Sequence, residues 1–296
     1  MINLDTMTTE KQNANTLNLD QMPVAEALKT MNKEDQQVAK EIENHLPEIE
    51  KAVKVVIDAF NQGGRLIYVG AGTSGRLGVL DAVECPPTFG TDPTQVIGLI
   101  AGGEKAFVKA VEGAEDSEAM GVQDLKNVQL QSKDVVVGLA ASGRTPYVIG
   151  ALNYANSIGV QTVAIACNQN SEIGKIAAIP IEVMTGPEVL TGSTRLKAAT
   201  AQKLIINMIS TISMVGIGKA YKNLMVDLQT TNEKLEVRAL RIIMTATEVN
   251  IDIAQTKLKE AEGSVKLAIT MILLDCDLTT AKQKLQKSKG HIRKTQ

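Results

Sequence analysis

Five short apolar runs, alternating with stretches of helical periodicity, constrain this chain more than any other feature. They are Arg65 to Gly70, Val96 to Ala101, Asp134 to Leu139, Gln161 to Ala166, and Ile181 to Met184. Most are flanked by Gly, Ser, Asn or Pro, and their nearly unbroken apolar character suits strands covered on both faces. Strands joined by helical crossovers form a parallel sheet, and right-handed crossovers make it doubly wound. Ligands in such sheets sit at the carboxyl ends of the strands. The loops that follow the runs are therefore where function is sought.

The rest of the chain divides around this core. Its 296 residues suffice for one large domain and a small appendage. Residues 1 to 21 are polar and aperiodic and read as an arm. From Glu34 to Gln62 the residues Val38, Ile42, Ile49, Val53, Val56, Ile57 and Phe60 recur at helical spacing, with Pro47 placed to start a second helix. A wide apolar stripe through Ala198, Ala201, Leu204, Ile205, Met208, Ile209, Ile212 and Val215 predicts a long buried helix. From Glu233 only short helical patterns remain, broken at Gly263 and at Asp275 to Asp277. The expected domains are an arm and helix over 1–50, a sheet domain over 51–220 and a small all-helical domain over 221–296.

Several functional classes are excluded. A net charge of −2, 2% aromatic residues and no tryptophan leave no basic stacking platform for nucleic acid. Cys85, Cys167 and Cys276 lie far apart and far from His45 and His291, which implies neither a disulfide framework nor a zinc site. The amino terminus lacks the layout of a signal peptide, so a cytoplasmic protein is expected. Leu204 to Ile217 is too short to cross a bilayer core of about 30 Å. No membrane partner is expected.

The first run opens into Gly70-Ala71-Gly72-Thr73-Ser74-Gly75, followed by a helical pattern from Arg76. Formally this is a GxGxxG motif. A dinucleotide site requires an acidic residue after the second strand to hold the ribose, and Ile100-Ala101-Gly102-Gly103 stands there instead. A Walker loop requires Gly-Lys-Ser or Gly-Lys-Thr, which is absent. Two readings remain: a cradle of amides and hydroxyls for one phosphate, or a tight turn and nothing more. The third run ends similarly, in Ala140-Ala141-Ser142-Gly143-Arg144-Thr145-Pro146. Two such loops, with neither a Walker lysine nor a ribose carboxylate, favour a sugar phosphate over a nucleotide.

Gly72-Thr73-Ser74-Gly75 and Ser142-Gly143-Arg144-Thr145 together resemble the two phosphate-binding loops of the sugar isomerase (SIS) fold. The resemblance implies that Ser74, Ser142 and Thr145 donate to phosphate oxygens with help from the loop amides. Ala140 and Ala141 depart from the isomerases of that fold, which often carry polar side chains there. Leu80 to Gly90, Gly186 to Ala198, Val111 to Ser117, and Val226 to Lys234 extend the match almost end to end, and they resemble the N-acetylmuramic acid 6-phosphate etherase family. The departures are Gln12, at an often basic position, and Asp275-Cys276-Asp277. The family implies cleavage of the lactyl ether at C3 of the sugar phosphate, a homodimer, no cofactor, and a role in recycling cell-wall sugar. Glu84 and Glu115 match its two catalytic carboxylates.

Other residues admit plainer readings. Pro86-Pro87 are expected to stop the helix from Arg76, which puts Glu84 at the negative end of a helix dipole and favours its protonated form. Glu188, in the family's motif before the long helix, is either a residue of the site or a structural cap, and the cap is preferred. Ser193 and Thr194 open the long helix, either touching sugar hydroxyls or capping it, and Arg195 and Lys197 either attract the anionic substrate or form salt bridges. From Arg76 to Glu84 a helix spans about 12 Å, which is awkward for one sugar: either the helix bends, or Glu84 serves the site of a neighbouring chain. An aldose-ketose isomerase and a sugar-phosphate sensor are the competing functions.

Overall fold

The computed structural model describes residues 7–109, 111–228 and 233–295. Met1 to Thr6 of the arm and Asn232, with the side chains of Glu233 and Lys234, lie outside the described residues. The chain forms two compact units, Met1–Val83 with Thr94–Ser210, and Glu84–Pro93 with Thr211–Gln296.

The first unit is built on five parallel strands, β1 (Leu66–Gly70), β2 (Val96–Ile100), β3 (Val135–Leu139), β4 (Gln161–Ala166) and β5 (Ile179–Glu182), in the order β2-β1-β3-β4-β5. Helices α1 (Val24–Glu43) and α2 (Leu46–Asn61) precede the sheet, and α3 (Gly72–Phe89) follows β1. Next come α4 (Lys105–Val108), α5 (Glu118–Asn127), α6 (Pro146–Ser157), α7 (Glu172–Ile176) and α8 (Lys197–Gly216). Strand alternation sorts the core. Ile67, Val69, Val136 and Ala164 pack with Leu125 of α5 and with Tyr147, Val148 and Leu152 of α6. The opposite face carries Tyr68, whose Oη donates to Asp81 Oδ2 of α3 at 2.8 Å.

Helix α3 lies very close to the sheet because glycine makes room for it. A Cβ on Gly78 would stand 2.7 Å from Tyr68 Cβ, and one on Gly98 would stand 2.5 Å from Val79 Cα. The buried Asp134 accepts from the Arg65 guanidinium at 2.6 Å and from its backbone N–H at 2.9 Å. That pair fastens the amino ends of β1 and β3. Their carboxyl ends, paired at Gly70 and Leu139, diverge into the two glycine loops. The chain leaves β1 towards β2 on one side and returns to β3 on the other, so the loops flank the topological switch point where such sheets bind ligands.

Three expectations need correction. The fifth strand begins two residues earlier than its apolar run suggests, because Pro180 is tolerated in an edge strand that pairs only with β4. Helix α3 runs through Pro86 and Pro87 to Phe89; Cys85 and Phe89, one turn apart, are both buried, and Gly90 N–H closes the end by donating to Pro86 O at 2.9 Å. Glu84 is therefore not at a helix end, and the dipole argument for it loses its premise. Helix α8 begins at Lys197, so Ser193 and Thr194 lie in the turn before it.

The second unit holds α9 (Glu233–Thr247), α10 (Ile251–Glu260), α11 (Val265–Leu274) and α12 (Leu278–Lys287), with a small antiparallel ribbon of β6 (Ala220–Tyr221) and β7 (Leu224–Met225). Asn250, Ser264 and Asp277 cap three of these helices through their side chains. Asp275, at φ +44°, ends α11, so the divergent Asp275-Cys276-Asp277 is a turn between two helices. Asp227, in one of the family's motifs, pairs with Lys266 and, at 3.7 Å, with Lys219.

Candidate active site

The first loop is held by its glycines. A Cβ on Gly75 would come within 2.6 Å of Gly70 O and 2.7 Å of Ile100 Cγ1, so the first turn of α3 rests on the strand ends. Gly72 sits at φ +53°, and no atom of the described residues lies within 4 Å of a Cβ position there. The loop is therefore open where the helix starts, and the amides of Gly72, Thr73 and Ser74, as in any first turn, lack intrahelical acceptors. Ser74 is buried and its Oγ donates to Gln202 Oε1 of α8 at 2.7 Å. Thr73 is half-buried beside it.

The second loop turns at Gly143, φ +75°, where a Cβ would stand 2.3 Å from Ser171 Cβ. Ser142 Oγ accepts from Arg144 N–H at 3.4 Å. Thr145 is the N-cap residue of α6 yet makes no side-chain cap bond, which leaves its hydroxyl free of the helix. Arg144 turns aside, with Nη1 3.3 Å from Met7 Sδ and Nη2 3.7 Å from Glu172 Oε1. A cleft of about 440 Å³ opens here, lined by Ser142, Gly143 and Arg144 and by Met7 and Thr8 of the arm.

That arm contact was not legible in the sequence. Asn168, just past β4, accepts from Thr8 N at 2.8 Å and from Thr8 Oγ1 at 3.0 Å, and donates to Thr9 Oγ1 at 3.1 Å and to Ala141 O at 3.2 Å. It ties the arm to the second loop. The only signal was its place in a polar loop after a strand, Asn168-Gln169-Asn170. Farther along the arm, Asn13 and Asn15 donate to Glu34, which also pairs with Lys197 Nζ at 2.8 Å.

Glu115 stands in a short turn, Ala114–Asp116, entered through Gly113 at φ +75°. It is exposed, and with Gly72 and Arg76 it lines a second cleft of about 220 Å³. Arg76 donates to Phe107 O at 2.8 Å and to Ala106 O at 2.7 Å, which holds the segment between β2 and that turn. Glu84 is exposed on α3 and belongs to the second unit. The structure thus brings Glu115 to the first loop and the arm to the second.

Two charged residues of the motif from Gly186, Glu188 and Lys197, are held in structural pairings. Glu188 is wholly buried and accepts from Lys197 N at 2.9 Å and Ala198 N at 3.0 Å, capping α8. Burial pushes its carboxyl up, opposed by those two bonds and the Lys197 charge. Lys197 is itself buried against Glu34, whereas Arg195 is exposed. Helix α8 also straps α3: Asn207 Nδ2 and Ser210 Oγ donate to Asp81 Oδ1 at 2.6 and 3.1 Å. Burial raises the Asp81 carboxyl, against hydrogen bonds from Tyr68, Asn207 and Ser210. Among the described residues no cluster of three His, Cys, Asp or Glu is set to hold a metal, and no helix is long and apolar enough to cross a membrane.

A doubly wound parallel sheet with two hydroxyl-bearing glycine loops at its switch point defines an SIS-domain protein. Residues 108–212 match the SIS domain family, and residues 48–156 match the glucokinase regulatory protein N-terminal SIS domain. Among solved structures, a phosphoheptose isomerase from Francisella tularensis superposes with a TM-score of 0.49 at 15% identity, covering 66% of this chain and 100% of its own. Two relatives named N-acetylmuramic acid 6-phosphate etherase, from Bacillus cytotoxicus and Bacillus cereus, are each 59% identical over 291 residues, 98% of this chain and 99% of theirs. The chain belongs to the N-acetylmuramic acid 6-phosphate etherase family.

Proposed function

We propose that this protein is a carbon-oxygen lyase that cleaves the D-lactyl ether of N-acetylmuramic acid 6-phosphate, giving N-acetylglucosamine 6-phosphate and D-lactate. The observation that carries the reading is the end-to-end identity of 59% with etherases. The phosphate lies between the two loops, held by the amides and hydroxyls of Gly72, Thr73, Ser74 and Gly75 and of Ser142, Gly143, Arg144 and Thr145. Its charge suits the positive end of α3.

An unactivated ether resists cleavage, so the ring opens first. The C1 aldehyde then acidifies the C2 proton, and loss of the C3 substituent becomes an elimination. Glu115 takes the C2 proton, and Glu84 protonates the departing lactate oxygen. Water adds at C3 of the unsaturated aldehyde, activated by the Glu84 carboxylate, and a proton returns to C2. The hydroxyls of Ser193 and Thr194, half-buried in the turn before α8, are assigned to the sugar.

The working form is a homodimer in the cytoplasm, acting in the recycling of cell-wall amino sugar. The exposed Leu80 and Val83 share a face of α3 with Glu84, and such an apolar strip suits a symmetric interface. Incubation with N-acetylmuramic acid 6-phosphate and assay of D-lactate tests the function, since an isomerase of the same fold releases no acid. Lactate release that is efficient with the phosphorylated sugar and poor with the unphosphorylated one is expected. No lactate, or equal efficiency on both, overturns the reading.

A further inference from the structure

Gln202 lies wholly buried on α8 beneath the first loop, and its two amide atoms are treated unequally. Oε1 accepts the Ser74 hydroxyl at 2.7 Å. Nε2 is buried and, among the described residues, has no hydrogen-bond partner. A buried donor left unpaired is expensive, and native proteins seldom keep one without a use for it.

The pairing also fixes what Ser74 can offer a ligand. A serine hydroxyl has one proton, and here it points at Gln202, so the oxygen turns only lone pairs towards the loop. A phosphate oxygen needs a donor. Rotating the Gln202 amide by half a turn exchanges two groups of nearly equal shape, so the surrounding core is undisturbed. Nε2 then donates to Ser74 Oγ, and the Ser74 proton is released towards the cradle. The exchange leaves a buried carbonyl unpaired in place of a buried N–H, and orphaned carbonyls are the better tolerated.

We propose that Gln202 is the positioning residue for Ser74, turning its amide when phosphate arrives so that Nε2 donates to Ser74 Oγ and Ser74 donates to the phosphate. The proposal deepens the sugar-phosphate reading of the first loop and rests on it. A two-bond chain with the amide behind the hydroxyl holds the serine proton on the ligand and strengthens it by polarisation. Gln202 itself touches no substrate atom.

The test is a double-mutant cycle read by calorimetric binding of N-acetylglucosamine 6-phosphate, with KM and kcat for lactate release in parallel. Gln202→Leu removes the relay, and Gln202→Met removes it while keeping the side chain's length. Each is expected to weaken binding by about tenfold, the scale of a hydrogen bond to a charged group, with the loss falling on KM more than on kcat. Ser74→Ala combined with Gln202→Leu should bind no more weakly than Ser74→Ala alone. If the double variant loses the product of the two single losses, or if Gln202→Leu binds like the wild type, Gln202 does not act through Ser74 and the proposal falls. If instead Ser74→Ala alone binds normally, the phosphate reading of the loop has failed, and the inference fails with it. Melting temperatures show which variants are folded. Should Gln202→Leu not fold, the methionine variant carries the cycle.

Discussion

Replacing Glu188 separates support from chemistry at a buried carboxylate in one of the family's motifs. The side chain is fully buried and its two oxygens satisfy two backbone N–H groups, those of Lys197 and Ala198, in the first turn of α8. Glu188→Ala leaves both donors buried and unpaired, at about 1–3 kcal/mol each. Some of that is returned, because burial penalises the charged carboxylate and pushes its proton affinity up. A net loss of about 2–3 kcal/mol follows, at and beyond the upper end for removal of a helix cap, because two buried donors are lost rather than one. For a domain of this size that corresponds to a melting temperature lower by about 4–12 °C. Glu188→Gln keeps one acceptor and the shape, and should fall between wild type and Glu188→Ala. Circular dichroism melts give the stability, and lactate release well below the melting point gives the activity. A Glu188→Gln protein that melts like the wild type yet releases no lactate would refute the assignment as a cap.

Other consequences can be checked with similar means. Gly143→Ala forces a Cβ to within 2.3 Å of Ser171 at φ +75°, an overpacking cost of about 1–3 kcal/mol; it should lower the melting temperature and raise KM for the phosphorylated sugar, and an unchanged KM would contradict a phosphate at this loop. Burial pushes the Glu34 carboxyl up, but hydrogen bonds from Lys197, Asn15 and Asn13 and the Lys197 charge outweigh it, and its affinity for protons falls below the ordinary value of 4.5. The folded value is the lower one, so this stability is present above pH 4.5 and is lost as the pH falls through the folded value. The gap in melting temperature between wild type and Glu34→Gln should therefore close on acidification below pH 4.5, and a gap that widens would exclude the linkage. If two chains share each site, mixing inactive Glu84→Ala with inactive Ser142→Ala/Thr145→Ala should restore activity once subunits exchange; no recovery after verified exchange would reject sharing between these positions.

What the sequence disclosed and what it withheld follow from the range of the interactions. Strands β1, β3 and most of β4 were readable because both faces are buried, which leaves nearly continuous apolar residues, and the half-buried edge strand β2 keeps the same apolar run. Strand β5 was displaced in the reading because Pro180 carries a local signal that its edge position overrides. The same conflict hid the true end of α3, where burial of Cys85 and Phe89 prevails over two prolines. Both glycine loops were visible, since their conformations demand particular residues at particular places. Asn168 and Gln202 were not. Each acts across more than a hundred residues, on Thr8 and on Ser74, and a lone amide side chain announces no partner. Lys197, read as either an attractor of substrate or a salt bridge, is paired with Glu34 163 residues away. No pattern within either segment could have matched them.

The mechanism stands or falls on one measurement, made on Glu84→Gln and Glu115→Gln in deuterated water with N-acetylmuramic acid 6-phosphate. Lactate release and deuterium entry at C2 are followed together. Glu115→Gln is expected to abolish both, because no base remains to take the C2 proton. Glu84→Gln is expected to abolish lactate release and keep C2 exchange, because the proton still leaves while the ether oxygen finds no acid. The reverse pattern would exchange the two roles, and normal lactate release by both variants would contradict elimination by this pair of carboxylates.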